Sequence, residues 1–181
     1  SIFKLNNFHP FYMSNLSNSN LNFTLFGHGF ALCYLARQLC EKGFNKPVIV
    51  THTKDNHQRD RNLLKEKDLY EYIFDVADEL NLMVLETDVV NKQSVLDFLE
   101  QQNSNVGFSV SCRSIIKSPI INFFKGRIYN IHPTLLPEEK GGGTFSWRIL
   151  NNDDQISATL HLIDEGIDTG NILMQKKERL R

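Results

Sequence analysis

The sequence predicts an α/β domain built on an open, largely parallel, twisted sheet with helices on both faces. Short apolar runs typical of buried strands alternate along the chain with segments whose apolar residues recur at helical spacing. This alternation favours a parallel sheet with right-handed crossovers. In such sheets ligands lie beyond the carboxyl ends of the strands, so the loops that follow the strands are the candidate sites.

The predicted elements follow from these patterns in chain order. The first helix is marked by Leu32, Leu35, Ala36 and Leu39, and the second by Leu69, Ile73, Val76 and Leu80. Strands are predicted at 21–26, 47–50, 82–85, 106–110, 127–133, 157–163 and 172–175, and further helices at 94–101, 120–124 and 144–150. Residues 53–67 are polar and charged, which predicts a long loop. The Asn- and Ser-rich residues 1–20 predict an N-terminal extension before one domain over 21–181.

Composition narrows the function classes. The chain has 181 residues and a net charge of -1, which argues against a broad nucleic-acid surface. No apolar run approaches the roughly 18 residues that cross a membrane, and the N-terminus lacks a secretory pattern. The three cysteines form no metal-type pair and are expected to be thiols in a reducing compartment. A cytoplasmic protein without nucleic-acid or membrane partners is therefore expected.

Two strand-end residues and one loop carboxylate are the candidate catalytic groups. Asn130 and His132 lie two apart on a predicted strand, so their side chains point to the same side. An amide donor beside an imidazole can hold a developing oxyanion and move a proton. Asp168, in a loop with nearby glycines, can raise the pKa of an imidazole and orient it. Each residue also has a purely structural interpretation as a strand-end or loop side chain.

These residues belong to strings that resemble a known family. The string from Asn130 to Pro137 (NIHPTLLP), the pair Thr159-x-His161 and the triplet Asp168-Thr169-Gly170 are similar to the formyltransferases that use 10-formyltetrahydrofolate. The resemblance implies a Rossmann-like catalytic domain over 21–181. It also implies that Asn130 and His132 polarise the formyl carbonyl and stabilise a tetrahedral intermediate. Asp168 would pair with His132 and relay protons through water.

The same resemblance implies a pocket for the pterin of 10-formyltetrahydrofolate. The family binds this ring largely through backbone contacts between two loops, which correspond here to 111–117 and 163–167. The expected cofactor-binding residues are Arg113, Ile115, Ile116, Ile163, Asp164, Glu165, Gly166 and Ile167. No metal is expected, because Asp55 and the histidines His52 and His57 fit no standard spacing of metal ligands.

A comparison of family members narrows the choice of acceptor amine. The transfer-RNA enzymes usually carry a further basic domain, and the purine enzymes carry Ser-Asn where this chain has Phe30-Ala31. Residues 143–152 resemble a segment of the sugar N-formyltransferases, so a nucleotide-linked amino sugar is the expected acceptor. Thr134, Lys140 and Trp147 are its expected contacts, although Trp147 could instead be a core or half-buried anchor. Glycinamide ribonucleotide, methionyl-tRNA, a non-catalytic binding role and a homodimer stay open.

Overall fold

The computed structural model describes residues 20–64 and 72–179. Residues 1–19 of the predicted extension and Leu69 of the second predicted helix lie outside these ranges. Seven strands are described: β1 (Phe23–Gly27), β2 (Val48–Thr51), β3 (Val84–Glu86), β4 (Val106–Val110), β5 (Ile128–His132), β6 (Gln155–Leu162) and β7 (Ile172–Arg179). Six helices accompany them: α1 (Phe30–Glu41), α2 (Lys54–Leu64), α3 (Ile73–Leu80), α4 (Gln93–Gln101), α5 (Ser118–Phe123) and α6 (Thr144–Leu150).

The strands form one sheet in the order β3-β2-β1-β4-β5-β6-β7. Strands β1 to β5 are parallel, whereas β6 pairs antiparallel with both β5 and β7. The predicted fold class is therefore confirmed. The chain runs outward from β1 to β2 and β3, then returns to place β4 and β5 on the other side. This reversal opens a crevice at the carboxyl ends of the central strands, where open α/β sheets bind their ligands.

Alternating side chains of β1 reach two cores on opposite faces of the sheet. Leu25 packs with Leu32 of α1 and Ile73 of α3, while Phe26 packs with Leu99 of α4 on the other face. All five of these side chains are fully buried. Because successive strand residues point to opposite faces, one short apolar strand anchors both helical layers. Among the described residues, no helix is both long enough and apolar enough to cross a membrane.

The predicted loop at 53–67 is wrong, because Lys54–Leu64 forms the helix α2. This helix has no apolar stripe for a periodicity argument to detect. The backbone N–H groups at its start are instead bonded by carboxylates from the end of β3 and the turn that follows it. Glu86 accepts from the backbone N–H of Lys54 at 3.1 Å, and Asp88 accepts from that of Thr53 at 3.1 Å. Negative charge at a helix N-terminus is stabilising, and here it comes from residues distant in sequence.

Candidate active site

A cavity of about 520 Å³ opens beyond the carboxyl ends of β4 and β5. Four segments contribute residues to its lining: the loop 111–116 without Arg113, the end of β5 with Pro133, the glycine-rich residues 141–144, and the loop 163–168 without Glu165. The cavity thus contains Asn130, His132 and Asp168 together. Its other walls are apolar at Ile116 and Ile163. A polar cluster at the end of an apolar cleft is the usual form of a small-molecule site.

Asp168 lies at the centre of the polar cluster. Its Oδ2 accepts a hydrogen bond from the backbone N–H of Gly141 at 2.8 Å and lies 3.5 Å from Nδ1 of His132. Its Oδ1 lies 3.4 Å from Nδ2 of Asn130 and 3.6 Å from Nε2 of His161. The residue has a φ of 51°, in the left-handed region that Asn and Asp tolerate better than most residues. One carboxylate therefore contacts all three polar side chains of the cluster.

His132 is buried and held on both sides of its ring. Its Nε2 lies 2.6 Å from the carbonyl oxygen of Glu139. A carbonyl oxygen can only accept, so Nε2 carries the hydrogen in this contact. The remaining nitrogen, Nδ1, faces Asp168. The ring can therefore exchange a proton only on the side of the carboxylate, which is the arrangement that a proton relay through Asp168 requires.

The orientation of the Asn130 amide is set by His161. Nδ1 of His161 donates to the carbonyl oxygen of Leu162 at 2.7 Å, so in the neutral ring Nε2 is an acceptor. This acceptor takes an N–H of Asn130 at 3.1 Å. Burial lowers the pKa of His161, against the opposing effects of the Leu162 carbonyl and the Asp168 carboxylate. The ring therefore stays neutral at pH 7 and keeps the amide nitrogen, rather than the amide oxygen, turned towards Asp168.

The loops expected to hold the pterin line the same cavity. Ile115, Ile116, Ile163, Asp164, Gly166 and Ile167 all border it. Arg113 instead borders a separate cavity of about 130 Å³. The Glu165 carboxylate accepts a hydrogen bond from the hydroxyl of Ser118 at 2.5 Å. The structure thus brings six of the eight residues to the cavity and directs the other two elsewhere.

The three residues expected to contact the acceptor do not line the cavity. Thr134 is fully buried, and its hydroxyl donates to the carbonyl oxygen of Glu139 at 3.0 Å. Lys140 is exposed to solvent in the loop before the glycines. The Trp147 side chain is 65% exposed on α6, so the alternative interpretation of Trp147 as a core anchor is wrong. Their contact with an acceptor remains a prediction.

Several residues that shape the site were missed by the sequence argument. Asn91 holds the loop 115–117, because its amide donates to the carbonyl oxygen of Ile115 and accepts from the backbone N–H of Lys117, both at 2.7 Å. Glu139 and Arg148 form an ion pair beside His132, with Nε of Arg148 3.0 Å from the Glu139 carboxylate. No periodicity or motif marks these residues, since their partners lie 9 to 26 residues away along the chain.

The histidines near the first turn form a separate aromatic cluster. The ring centroids of His52 and His57 lie 3.7 Å apart, and those of His28 and His52 lie 4.7 Å apart. Nε2 of His57 also lies 2.8 Å from the Thr51 hydroxyl. Within residues 20–64 and 72–179, no three His, Cys, Asp or Glu side chains are grouped so that they could hold a metal ion.

Solved structures of several formyltransferases share this fold. The chain superimposes on a phosphoribosylglycinamide formyltransferase from Bacillus halodurans with a TM-score of 0.69 and 19% identity, covering 88% of this chain and 80% of that one. It superimposes on WlaRD, a sugar 3N-formyl transferase crystallised with dTDP and 5-N-formyl-THF, with a TM-score of 0.62 and 25% identity, covering 88% and 52%. The comparison with the Bacillus halodurans enzyme, at 19% identity, shows a shared fold.

Sequence relatives point to the same family. A methionyl-tRNA formyltransferase from Finegoldia magna is 31% identical over 104 residues, which are 58% of this chain and 34% of the relative. The enzyme of the same name from Thermotoga neapolitana is 27% identical over 143 residues, or 79% of this chain and 44% of the relative. The chain therefore spans less than half the length of these two relatives. Residues 21–180 match the sequence model of the formyl transferase domain, so the chain belongs to the formyl transferase family.

Proposed function

We propose that this domain transfers the formyl group of 10-formyltetrahydrofolate to a primary amine, and that the amine belongs to a nucleotide-linked amino sugar. The observation that carries the transfer reaction is the contact of Asp168 with Asn130, His132 and His161 at one end of an apolar cavity. Amide donor, imidazole and carboxylate are the groups that this reaction needs: one to stabilise negative charge on oxygen, and two to move a proton.

Each side chain has a role in the proposed reaction. The nitrogen of the neutral amine attacks the formyl carbon and forms a tetrahedral intermediate, and the C–N bond to the folate breaks when this intermediate collapses. Asn130 donates an N–H to the formyl oxygen while negative charge develops there. The proton lost by the attacking amine passes through water and the Asp168–His132 pair to the departing folate nitrogen. The products are the N-formylated amine and tetrahydrofolate.

The cavity suits a folate. Its walls between 111–116 and 163–168 offer apolar contact at Ile116 and Ile163 together with backbone groups. Asp164 fixes the second of these loops by accepting from the backbone N–H of Gly166 at 3.0 Å and from the hydroxyl of Thr169 at 2.5 Å. A rigid loop that presents backbone groups can bind a flat heterocycle without ordering the loop on binding.

The choice of acceptor rests on the first turn of the fold. Phe30 begins α1 at the carboxyl end of β1, and its side chain is 67% exposed. An exposed aromatic ring at this position provides no side-chain hydrogen bond to a phosphate, which favours an acceptor other than a ribonucleotide held there by a polar side chain. A structural neighbour from Helicobacter canadensis was crystallised with folinic acid and dTDP-3-aminofucose, and that sugar is a suitable probe.

The test supplies 10-formyltetrahydrofolate with dTDP-3-aminofucose, glycinamide ribonucleotide or methionyl-tRNA in separate reactions. Release of tetrahydrofolate and the mass of the formylated product are followed, and a reaction without amine measures hydrolysis. We expect amine-dependent turnover with the sugar nucleotide. Turnover only with glycinamide ribonucleotide, or only with methionyl-tRNA, would contradict the sugar nucleotide as the acceptor. Binding of the folate without turnover in any reaction would contradict the enzymatic role and favour a binding role.

A further inference from the structure

The loop between β5 and α6 contacts both members of the His132–Asp168 pair. The carbonyl oxygen of Glu139 accepts from Nε2 of His132 at 2.6 Å. Two residues later, the N–H of Gly141 donates to Oδ2 of Asp168 at 2.8 Å. The backbone of residues 139–141 therefore contacts both Nε2 of His132 and Oδ2 of Asp168. Any shift of this backbone changes the geometry of the pair.

The glycines of this loop have no side chains that could hold it in place. A side chain added at Gly141, Gly142 or Gly143 would meet no atom within 4 Å, so these residues lie against open space. Gly141 and Gly143 also have positive φ values of 86° and 85°. Glycine has more conformational freedom to lose than any other residue. The loop therefore needs an anchor on its other side, close to Glu139.

The Glu139 side chain provides this anchor. One carboxylate oxygen accepts from the backbone N–H of Leu135 at 3.0 Å, and both lie 3.0 Å from Nε of Arg148. The Arg148 side chain is only 10% exposed, and its Nη1 donates to the carbonyl oxygen of Gln155 at 3.2 Å. It also lies 3.7 Å from the Asp153 carboxylate. The ion pair thus ties the loop to α6 and to the first residue of β6.

We propose that Glu139 and Arg148 are positioning residues for catalysis: their ion pair sets the place of the loop backbone that orients His132 and Asp168. Replacing a largely buried ion pair by well-packed apolar residues often leaves stability unchanged or higher, so stability alone gives little reason for this pair. The orientation of His132 and Asp168 is a stronger reason for the pair, because a displacement of about 1 Å at a reacting group can lower the rate on the order of 100-fold. This inference rests on the proposed formyl transfer for its kinetic test.

The test compares Glu139→Gln and Arg148→Lys with a matched control, Glu79→Gln. The control removes the carboxylate that pairs with Arg37 at 2.8 Å between α1 and α3, on elements that do not border the cavity. Three quantities are measured for each protein: kcat and KM with 10-formyltetrahydrofolate and dTDP-3-aminofucose, the melting temperature, and the ¹⁵N NMR signals of the His132 ring. Arg148→Lys keeps the charge, so it gives a folded protein if Glu139→Gln does not.

We expect Glu139→Gln and Arg148→Lys to lower kcat on the order of 10- to 100-fold, to leave KM within about threefold and to shift the His132 signals. Glu79→Gln should change neither kcat nor these signals. The proposal is overturned if the two variants melt at a lower temperature yet keep the kcat and the His132 signals of the parent. If the parent itself formylates no amine, the proposed function fails, and the His132 signals together with hydrogen exchange at the Gly141 amide still decide the role of the ion pair.

Discussion

Replacing Asp168 by Asn tests the proton relay with little disturbance of the backbone. Asn has nearly the same shape as Asp and tolerates the left-handed conformation found here, where φ is 51°. Its amide has one acceptor oxygen instead of two. If that oxygen keeps the bond to the Gly141 N–H, the amide nitrogen must face the N–H groups of Asn130. The carboxylate that would accept the proton of the attacking amine and pass it to His132 is then lost.

The expected loss of rate follows from the proposed role of the Asp168 carboxylate in proton transfer. Positioned acid–base groups contribute typically about 10²- to 10⁴-fold to a rate, which corresponds to roughly 2.7 to 5.4 kcal/mol of transition-state free energy. We expect Asp168→Asn to lower kcat by this factor. KM for the folate should change little, because the hydrogen bonds of Asp164 that hold the neighbouring loop remain.

The assay follows tetrahydrofolate release from 10-formyltetrahydrofolate under single-turnover conditions, so that product release does not mask the chemical step. Asp97→Asn on the exposed face of α4 is the matched control and should keep the parent rate. Calorimetric binding of 5-formyltetrahydrofolate checks that the variant retains its cavity. A rate for Asp168→Asn within about tenfold of the parent would refute the relay.

Three further predictions concern single groups of the structure. His161 has a lowered pKa when folded, so between about pH 6.5 and its folded pKa the unfolded chain binds more protons and stability falls as pH falls. The difference in unfolding free energy between the parent and His161→Gln should therefore shrink on acidification in urea titrations, and a constant difference would contradict the neutral ring. Gly170→Ala should cost about 1–3 kcal/mol in urea unfolding, because the new carbon would lie 1.8 Å from the Leu162 carbonyl oxygen. Gly142→Ala, which meets open space, is its control, and equal stability of the two variants would be inconsistent with that contact. Burial raises the pKa of Cys112 to about 11, so this thiol should resist alkylation by iodoacetamide at pH 8 although it borders the cavity; rapid labelling found by mass spectrometry would argue otherwise.

The parts of the fold that the sequence predicts well are those held by apolar residues close together in the chain. The bounds of β4 and α6 agree with the predicted ranges 106–110 and 144–150. The central strands are short apolar runs because the sheet is covered on both faces. The polar end of β7 shows the opposite case: residues 176–179 lack an apolar pattern, yet they extend the strand by pairing with the start of β6.

The parts that the sequence does not predict depend on polar contacts between distant segments. Helix α2 forms where carboxylates of Glu86 and Asp88 meet its first N–H groups, more than 30 residues along the chain. The sequence predicts Thr134 as a contact of the acceptor, but it does not predict that the Thr134 hydroxyl donates to the Glu139 carbonyl oxygen. A hydrogen-bond partner far away in sequence leaves no periodic signal, whereas an apolar face does.

The hydrogen bonds of Asn130 indicate where the formyl oxygen would bind. One N–H of its amide has a close acceptor, Nε2 of His161 at 3.1 Å, which is itself fixed by the Leu162 carbonyl. The other points to Asp168 over 3.4 Å, beyond the usual range for an N–H···O bond. A formyl oxygen that accepts this second N–H in place of Asp168 would break the longer of the two contacts. The bond to His161 would remain and keep the amide oriented. The same replacement frees an oxygen of Asp168 to accept the proton of the attacking amine, so binding of the donor would prepare both steps of the reaction.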